Sequence, residues 1–256
     1  MNVTWYGTAS IGIDDGKTRL LFDPFLRMNR RLDNTPLETY TGADAVLITH
    51  GHVDHIMHIP RLMKKDTAVP VYCTKTPAQT LTKRGADPDR LHLIAPGDEF
   101  KIGDFTIRVY QGKHVKFNAG YVFSVFARCT VMFPKLFWIE YHNLCMPENG
   151  ETVIFDVENG GRRVMIMGSY GSDENTEYPA SPDLFVLPFG GNTQIRELSA
   201  DFLRKLNPKK IMVDHFDNAF PPLTKRMDVE TFGKQLIAEY PDLGYIIPTE
   251  RKSVSV

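Results

Sequence analysis

The chain runs to 256 residues, 42% of them hydrophobic and 24% charged, with 30 Lys and Arg against 31 Asp and Glu for a formal net charge of −1. That length buries a substantial core as one large domain over residues 1–256 and requires no second, while the balanced charge shows no broad basic footprint for nucleic acid. The three cysteines, Cys73, Cys129 and Cys145, are odd in number and not at metal-ligand spacing, and Met1-Asn2-Val3-Thr4-Trp5-Tyr6 lacks the basic and apolar regions of a signal peptide. Both observations predict a reduced, cytoplasmic setting.

Val3 to Trp5 and Ser10 to Ile13 alternate as strands around Gly7, and Asp15-Gly16 offers the turn into a third strand, Thr18 to Phe22, which Asp23-Pro24 ends. A polar loop, Arg27 to Tyr40, leads to the apolar run Ala45-Val46-Leu47-Ile48-Thr49. A helix then opens at roughly Asp54, and Ile56 to Lys65 carries Met57, Arg61 and Lys64 at helical offsets, with Pro60 in its first turns. Val69 to Cys73 reads as a strand. Thr76 to Gly85 reads as a short helix capped by Thr76, with Pro77 at its first position and Gly85 as its stop. Glu99 to Ile102 and Phe105 to Tyr110 form a hairpin about Gly103-Asp104 that delivers His114. Thr152 to Val157 and Arg163 to Met167 form another around Asn159-Gly160-Gly161. Leu184 to Leu187, about Thr193 to Leu206, and Ile211 to Val213 then read as strand, helix, strand, with His215 following. Strands lead each half, helices follow, and chemistry gathers at strand ends, as in an α/β fold.

The densest chemistry is His50-Gly51-His52-Val53-Asp54-His55. Three imidazoles and a carboxylate within one loop supply N and O ligands suited to Zn²⁺, or to Fe or Mn. A strand ending in a Gly-containing loop aims His50 and His52 at one metal. The turn opening the next helix aims Asp54 and His55 at a second, with the carboxylate favoured by the helix N-terminus. The competing reading is a histidine-rich surface loop, and the strand-loop-helix setting speaks against it.

This HxHxDH spacing resembles the defining motif of the metallo-β-lactamase superfamily, and the element order resembles that family's four-layer αββα sandwich over nearly the full length. The resemblance implies a third histidine for the first metal, a place taken by His114, and a late histidine for the second, taken by His215 in Val213-Asp214-His215-Phe216-Asp217. It implies a bridging aspartate in a Gly-Asp pair, where this chain has Gly168-Ser169-Tyr170-Gly171. Ser169 cannot bridge two cations as a carboxylate does. Either the second metal binds more weakly or is lost, or Asp173, Asp217 or the substrate fills the gap. Asp23 falls where the family keeps a buried aspartate bracing the metal loop, with a turn-forming Asp-Pro as the alternative. The opening Trp5-Tyr6-Gly7-Thr8-Ala9 resembles the branch of L-ascorbate-6-phosphate lactonases and N-acyl-phosphatidylethanolamine phospholipases, except that Thr8 replaces a histidine. His58, one turn beyond His55, stands where it could support the site, and His92 and His142 receive no role.

Residues 115–150 form an aromatic-rich insert that leaves from the His114 loop, including Tyr121 to Cys129 and Met132 to Ile139. It is expected to serve as a substrate lid, as core, or as the interface of a homo-oligomer. Arg128, Pro134 and Lys135 interrupt the run, so no stable membrane insertion is expected, and a lipid-touching patch is a lesser alternative. The resemblance implies a zinc-dependent hydrolase, with one or two ions (Mn or Fe as alternatives). Its metal-bound hydroxide, oriented by Asp54 as the catalytic residue, attacks a small-molecule ester or lactone. A phosphodiesterase is the first alternative, and a redox or degenerate metal-binding protein the second. Neither a nucleic-acid partner nor an appended specificity domain is indicated.

Overall fold

The computed structural model describes residues 1–116, 118–129, 141–142, 144–192 and 194–256. Two sheets of seven strands face each other. The first is built from β1 (Asn2–Gly7), β2 (Ser10–Asp14), β3 (Arg19–Phe22), β4 (Ala45–Leu47), β5 (Val71–Cys73) and β6 (Leu91–Leu93), in that spatial order, with β14 (Ser253–Ser255) added beyond β1. The second holds β7 (Glu99–Ile102), β8 (Phe105–Gln111), β9 (Val153–Asn159), β10 (Arg162–Met167), β11 (Leu184–Pro188), β12 (Lys210–Asp214) and β13 (Gly244–Ile246). Both sheets are mixed. Hairpins give antiparallel pairs such as β1 with β2 and β9 with β10, and crossover connections give parallel pairs from β3 to β6 and from β10 to β13.

Alternation along the strands sorts the side chains into layers. In β3 and β4, Leu20, Phe22, Ala45 and Leu47 point between the sheets, while Leu21 and Val46 point outward. The outward set is covered by α1 (Val53–Ile56), α2 (Ile59–Lys65) and α3 (Lys75–Lys83) through Val53, Ile56, Ile59, Leu62 and Leu81. On the far side, α5 (Ile195–Leu206) and α6 (Val229–Glu239) cover the second sheet through Phe202, Leu203, Leu206, Phe232 and Leu236. The result is the αββα sandwich. No described helix is long and apolar enough to cross a membrane.

Two local expectations are corrected. The helix expected from Ile56 to Lys65 is two helices, because α1 ends at Ile56 and α2 restarts at Ile59. Pro60 lacks an N–H and fits only a first turn, so it marks a new start rather than sitting inside a continuing helix. The helix expected to be capped by Thr76 begins at Lys75, and its first turn is held from a distance. Glu151 accepts from the Thr76 N–H at 2.7 Å and from its hydroxyl at 2.6 Å, so a carboxylate some 75 residues later does the work of a cap. Of the insert, α4 (Ala119–Cys129) is described, and Val125 packs against the cluster of Phe25, Ala219, Phe220 and Leu223. The stretch 130–140, with all of Met132 to Ile139, lies outside the described residues.

Candidate metal centre

Five strand ends deliver the polar groups to one rim: β3 runs into Asp23, β4 toward Thr49 and His50, β8 toward His114, β10 into Gly168-Ser169, and β12 into His215. Among the described residues two triads form, His50 with His52 and His114, and Asp54 with His55 and His215, the ligand atoms of each lying within 4.8 Å of one another.

In the first triad, His52 Nδ1 lies 2.9 Å from His114 Nε2. His114 Nδ1 lies 2.9 Å from the Val115 carbonyl, so that nitrogen carries the proton and Nε2 presents its lone pair. His50 Nδ1 meets the Thr49 hydroxyl at 3.1 Å, whereas its Nε2 is buried with no hydrogen-bond partner. An orphaned buried acceptor costs ~1–3 kcal/mol unless something takes its lone pair. A cation held by three imidazoles answers that cost, so the residues fit a metal.

The second triad is braced from behind. Asp23 Oδ2 accepts from His55 Nδ1 at 2.8 Å, which frees Nε2 to face Asp54 Oδ1 at 3.8 Å. The same carboxylate accepts from the Thr49 N–H at 2.9 Å and from the Thr49 hydroxyl at 2.6 Å. One buried aspartate therefore fixes both the ring of His55 and the loop carrying His50. Asp54 Oδ2 pairs with His215 Nε2 at 3.0 Å.

Electrostatics separate the two groups. Burial first, and then the neighbouring imidazoles, hold His50 well below its ordinary value; burial and His114 bring His52 down to about 4. His114 is lowered mainly by burial. Neutral rings are the metal-binding form. Burial pushes Asp54 up, but His55, His215 and His52 outweigh it and keep the group an anion. Burial likewise opposes charge on His215, yet its bond to Asp54 and the charges of Asp54, Asp214 and Asp217 raise it to about 9.

Backbone strain concentrates on this rim. Thr8, Asp23 and His215 adopt left-handed φ values of 50°, 47° and 56°, a state that persists only when neighbours enforce it. Here they do. His215 N–H donates to the Thr8 carbonyl at 2.8 Å, and Thr8 N–H donates to Asp217 Oδ2 at 3.1 Å. Arg27 Nη1 reaches the same Asp217 oxygen at 3.1 Å while Nη2 reaches Glu250 Oε2 at 2.6 Å, with the Arg27 side chain 4% exposed. Two glycines admit close approaches. A Cβ on Gly168 would collide with Thr49, and one on Gly51 with the Pro147 carbonyl, where the end of the insert presses on the metal loop.

The six sequence-designated ligands His50, His52, Asp54, His55, His114 and His215 are thus brought together, with Asp23 directly behind them. Ser169 is buried and its Oγ accepts from the Val115 N–H at 3.1 Å, fastening the loop next to His114. Neither carboxylate considered as its replacement joins the triads. Asp173 is held by Lys113 at 3.0 Å and Asp217 by Arg27. His58 serves elsewhere, accepting the Leu26 N–H at 3.2 Å. His92 stacks on Tyr72 and His142 lies against Tyr141. Sequence reasoning missed Thr49, Arg27 and Glu250. Only Thr49, the residue before the histidine loop, carried a signal, since its side chain must face whatever braces that loop.

A family model described as a beta-lactamase superfamily domain matches residues 2–215. A UPF0173 metal-dependent hydrolase from Exiguobacterium is 29% identical over 239 residues, covering 92% of this chain and 93% of its own. In three dimensions the chain is similar to Igni18, a metallo hydrolase of the archaeon Ignicoccus hospitalis, with a TM-score of 0.70, 19% identity, and 99% and 97% of the two chains covered. It is also similar to YhfI, a metallo-beta-lactamase fold protein of Bacillus subtilis, with a TM-score of 0.65, 15% identity and 99% of each chain covered. At those identities the two structures speak for the fold alone.

Proposed function

The chain belongs to the metallo-β-lactamase superfamily, and from that premise we propose that it is a metal-dependent hydrolase, zinc being the metal, acting on a small-molecule ester or lactone. The observation that carries this is the convergence of two ligand triads, one of them with a buried, partnerless imidazole nitrogen. His50, His52 and His114 would hold one ion, and Asp54, His55 and His215 a second. Bound there, the metal supplies Lewis-acid polarisation of the substrate oxygen and acidifies a water to a pKa of about 7.

The chain's own contribution is orientation and proton handling. Asp54 supplies the carboxylate of the two triads, so it is the group that accepts the proton of the attacking water and passes it to the leaving oxygen. His215 holds Asp54 by Oδ2 and thereby aims Oδ1 toward His55. With Ser169 in place of a further carboxylate, little negative charge offsets the cations, which favours a substrate that develops an oxyanion. Two described points of the insert, Val125 against the cluster of Phe25, Ala219, Phe220 and Leu223 and Pro147 over Gly51, support a substrate-covering segment. A homo-oligomer formed through the same insert, and a cytoplasmic location, complete the reading.

The test is metal analysis joined to a substrate screen. Protein reconstituted with Zn²⁺, Mn²⁺ or Fe²⁺ should retain at least one ion through desalting and hydrolyse a lactone, and Asp54→Asn should keep the first ion while losing about 10²-fold or more in rate. Absence of bound metal sinks the reading. Turnover of phosphodiesters with inert lactones would move it to the phosphodiesterase alternative.

A further inference from the structure

Away from the triads, Met57, His58, Pro60, Arg61, Lys64 and Arg84 line an open depression of about 400 Å³. Arg61 and Lys64 are three residues apart on α2 and therefore share a face, and Arg84 reaches the same depression from the C-terminal cap of α3. Among the described residues none of these three cations has an ion-pair partner, although Lys65 pairs with Glu38 and Arg90 with Asp87 close by. The floor carries a fourth donor. His58 is only 8% exposed, and its Nδ1 accepts the Leu26 N–H, so the neutral ring keeps its proton on Nε2. No described residue accepts from that Nε2. Burial first, then Arg61 and Arg84, drives His58 down to about 4.

We propose that this depression is a binding site for the phosphate group of a phosphate ester, separate from the metal centre. Guanidiniums match phosphate oxygens through paired N–H donors, Lys64 adds a compact charge, and His58 Nε2–H adds a neutral donor from below. Glu38 is the anion that feels Arg61, but weakly, and it is bonded to Lys65; several donors of one sign converging with no direct ion pair among the described residues suit a dianion with three free oxygens better than a single carboxylate. The volume exceeds what a bare phosphate fills, so the ester's organic part has room beside Met57 and Pro60.

The experiment titrates the as-isolated protein with inorganic phosphate and with glycerol 3-phosphate by calorimetry. A parallel arm measures sedimentation with phosphatidylcholine vesicles, with and without phosphatidic acid. Saturable binding of glycerol 3-phosphate is expected, weakened by salt and at least tenfold weaker in the R61Q/R84Q double variant, with R61K/R84K retaining part of it. Both arginines are exposed, so folding should survive, and circular dichroism verifies it. The His58 imidazole resonance should titrate higher with ligand present, because the added anion reverses the push of Arg61 and Arg84. Binding to vesicles alone would assign the phosphate to a lipid headgroup and keep the site. Equal affinity in R61Q/R84Q, loss of binding only on stripping metal, or binding to neither probe would overturn the proposal.

Discussion

Ser169 stands where the family resemblance implies a bridging carboxylate. Its hydroxyl already accepts from the Val115 N–H, a bond an aspartate could also accept, so Ser169→Asp adds an anion without removing that support. Unit charges about 4 Å apart attract by ~4 kcal/mol at an effective dielectric of about 20, before the cost of burying the new carboxylate. The expected outcome is at least tenfold tighter retention of the second ion in a chelator competition. Unchanged retention would show that position 169 does not face the ions. His58 gives a second residue-scale prediction through proton linkage. Its folded value of about 4 lies below the ordinary 6.5 of the unfolded chain. Above 6.5 neither state binds the proton; as pH falls from there toward 4, the unfolded chain takes up a proton that the folded one refuses, and stability is lost across that window. The loss amounts to ~3 kcal/mol at most. Urea unfolding at intervals between these pH values should show a shallower acid loss in His58→Gln, and identical slopes would reject the linkage.

Among the elements, those written in local pattern were legible from sequence and those set by distant partners were not. The short apolar runs of β3 and β4, the hairpin at Gly103-Asp104 and the loop His50 to His55 each follow from a few neighbouring residues, and the structure places them as the pattern predicts. The candidate ligands His114 and His215 required the family resemblance, because a lone histidine after a strand carries no mark of what it will face. The start of α3 escaped because its capping oxygen is Glu151, and β14 escaped because three residues, Ser253–Ser255, become a strand only by pairing with β1. The same argument predicts what Glu151 contributes. Glu151→Ala leaves the Thr76 N–H and hydroxyl without their acceptor, and should cost ~1–2 kcal/mol. Equilibrium urea unfolding measures it, and a loss below a few tenths would mean water replaces the carboxylate fully.

For the molecule as a whole, the triads join loops from both sheets, so an ion bound there ties the halves of the sandwich together. A ligand that binds only the folded state adds RT ln(1 + [L]/Kd), ~2.7 kcal/mol at 100 times Kd. Stripping metal with a chelator should therefore lower the unfolding temperature by several degrees, and readdition should restore it; an unchanged melt would show that the fold does not depend on the ions. The buried Arg27, which links Asp217 to Glu250 beneath Thr8 and His215, has a consequence in time. Its two anionic partners lie 190 and 223 residues downstream. During synthesis on the ribosome, the guanidinium at position 27 emerges long before either carboxylate exists, and the left-handed turn at Thr8 has its local bond from the Trp5 indole N–H but lacks the Asp217 oxygen that accepts its own N–H. The histidine loop can fold early, but the rim that aims His215 must wait for residues 214–255. A nascent chain stalled before Glu250 would carry all six residues of the two triads and still lack the clamp that sets the last one.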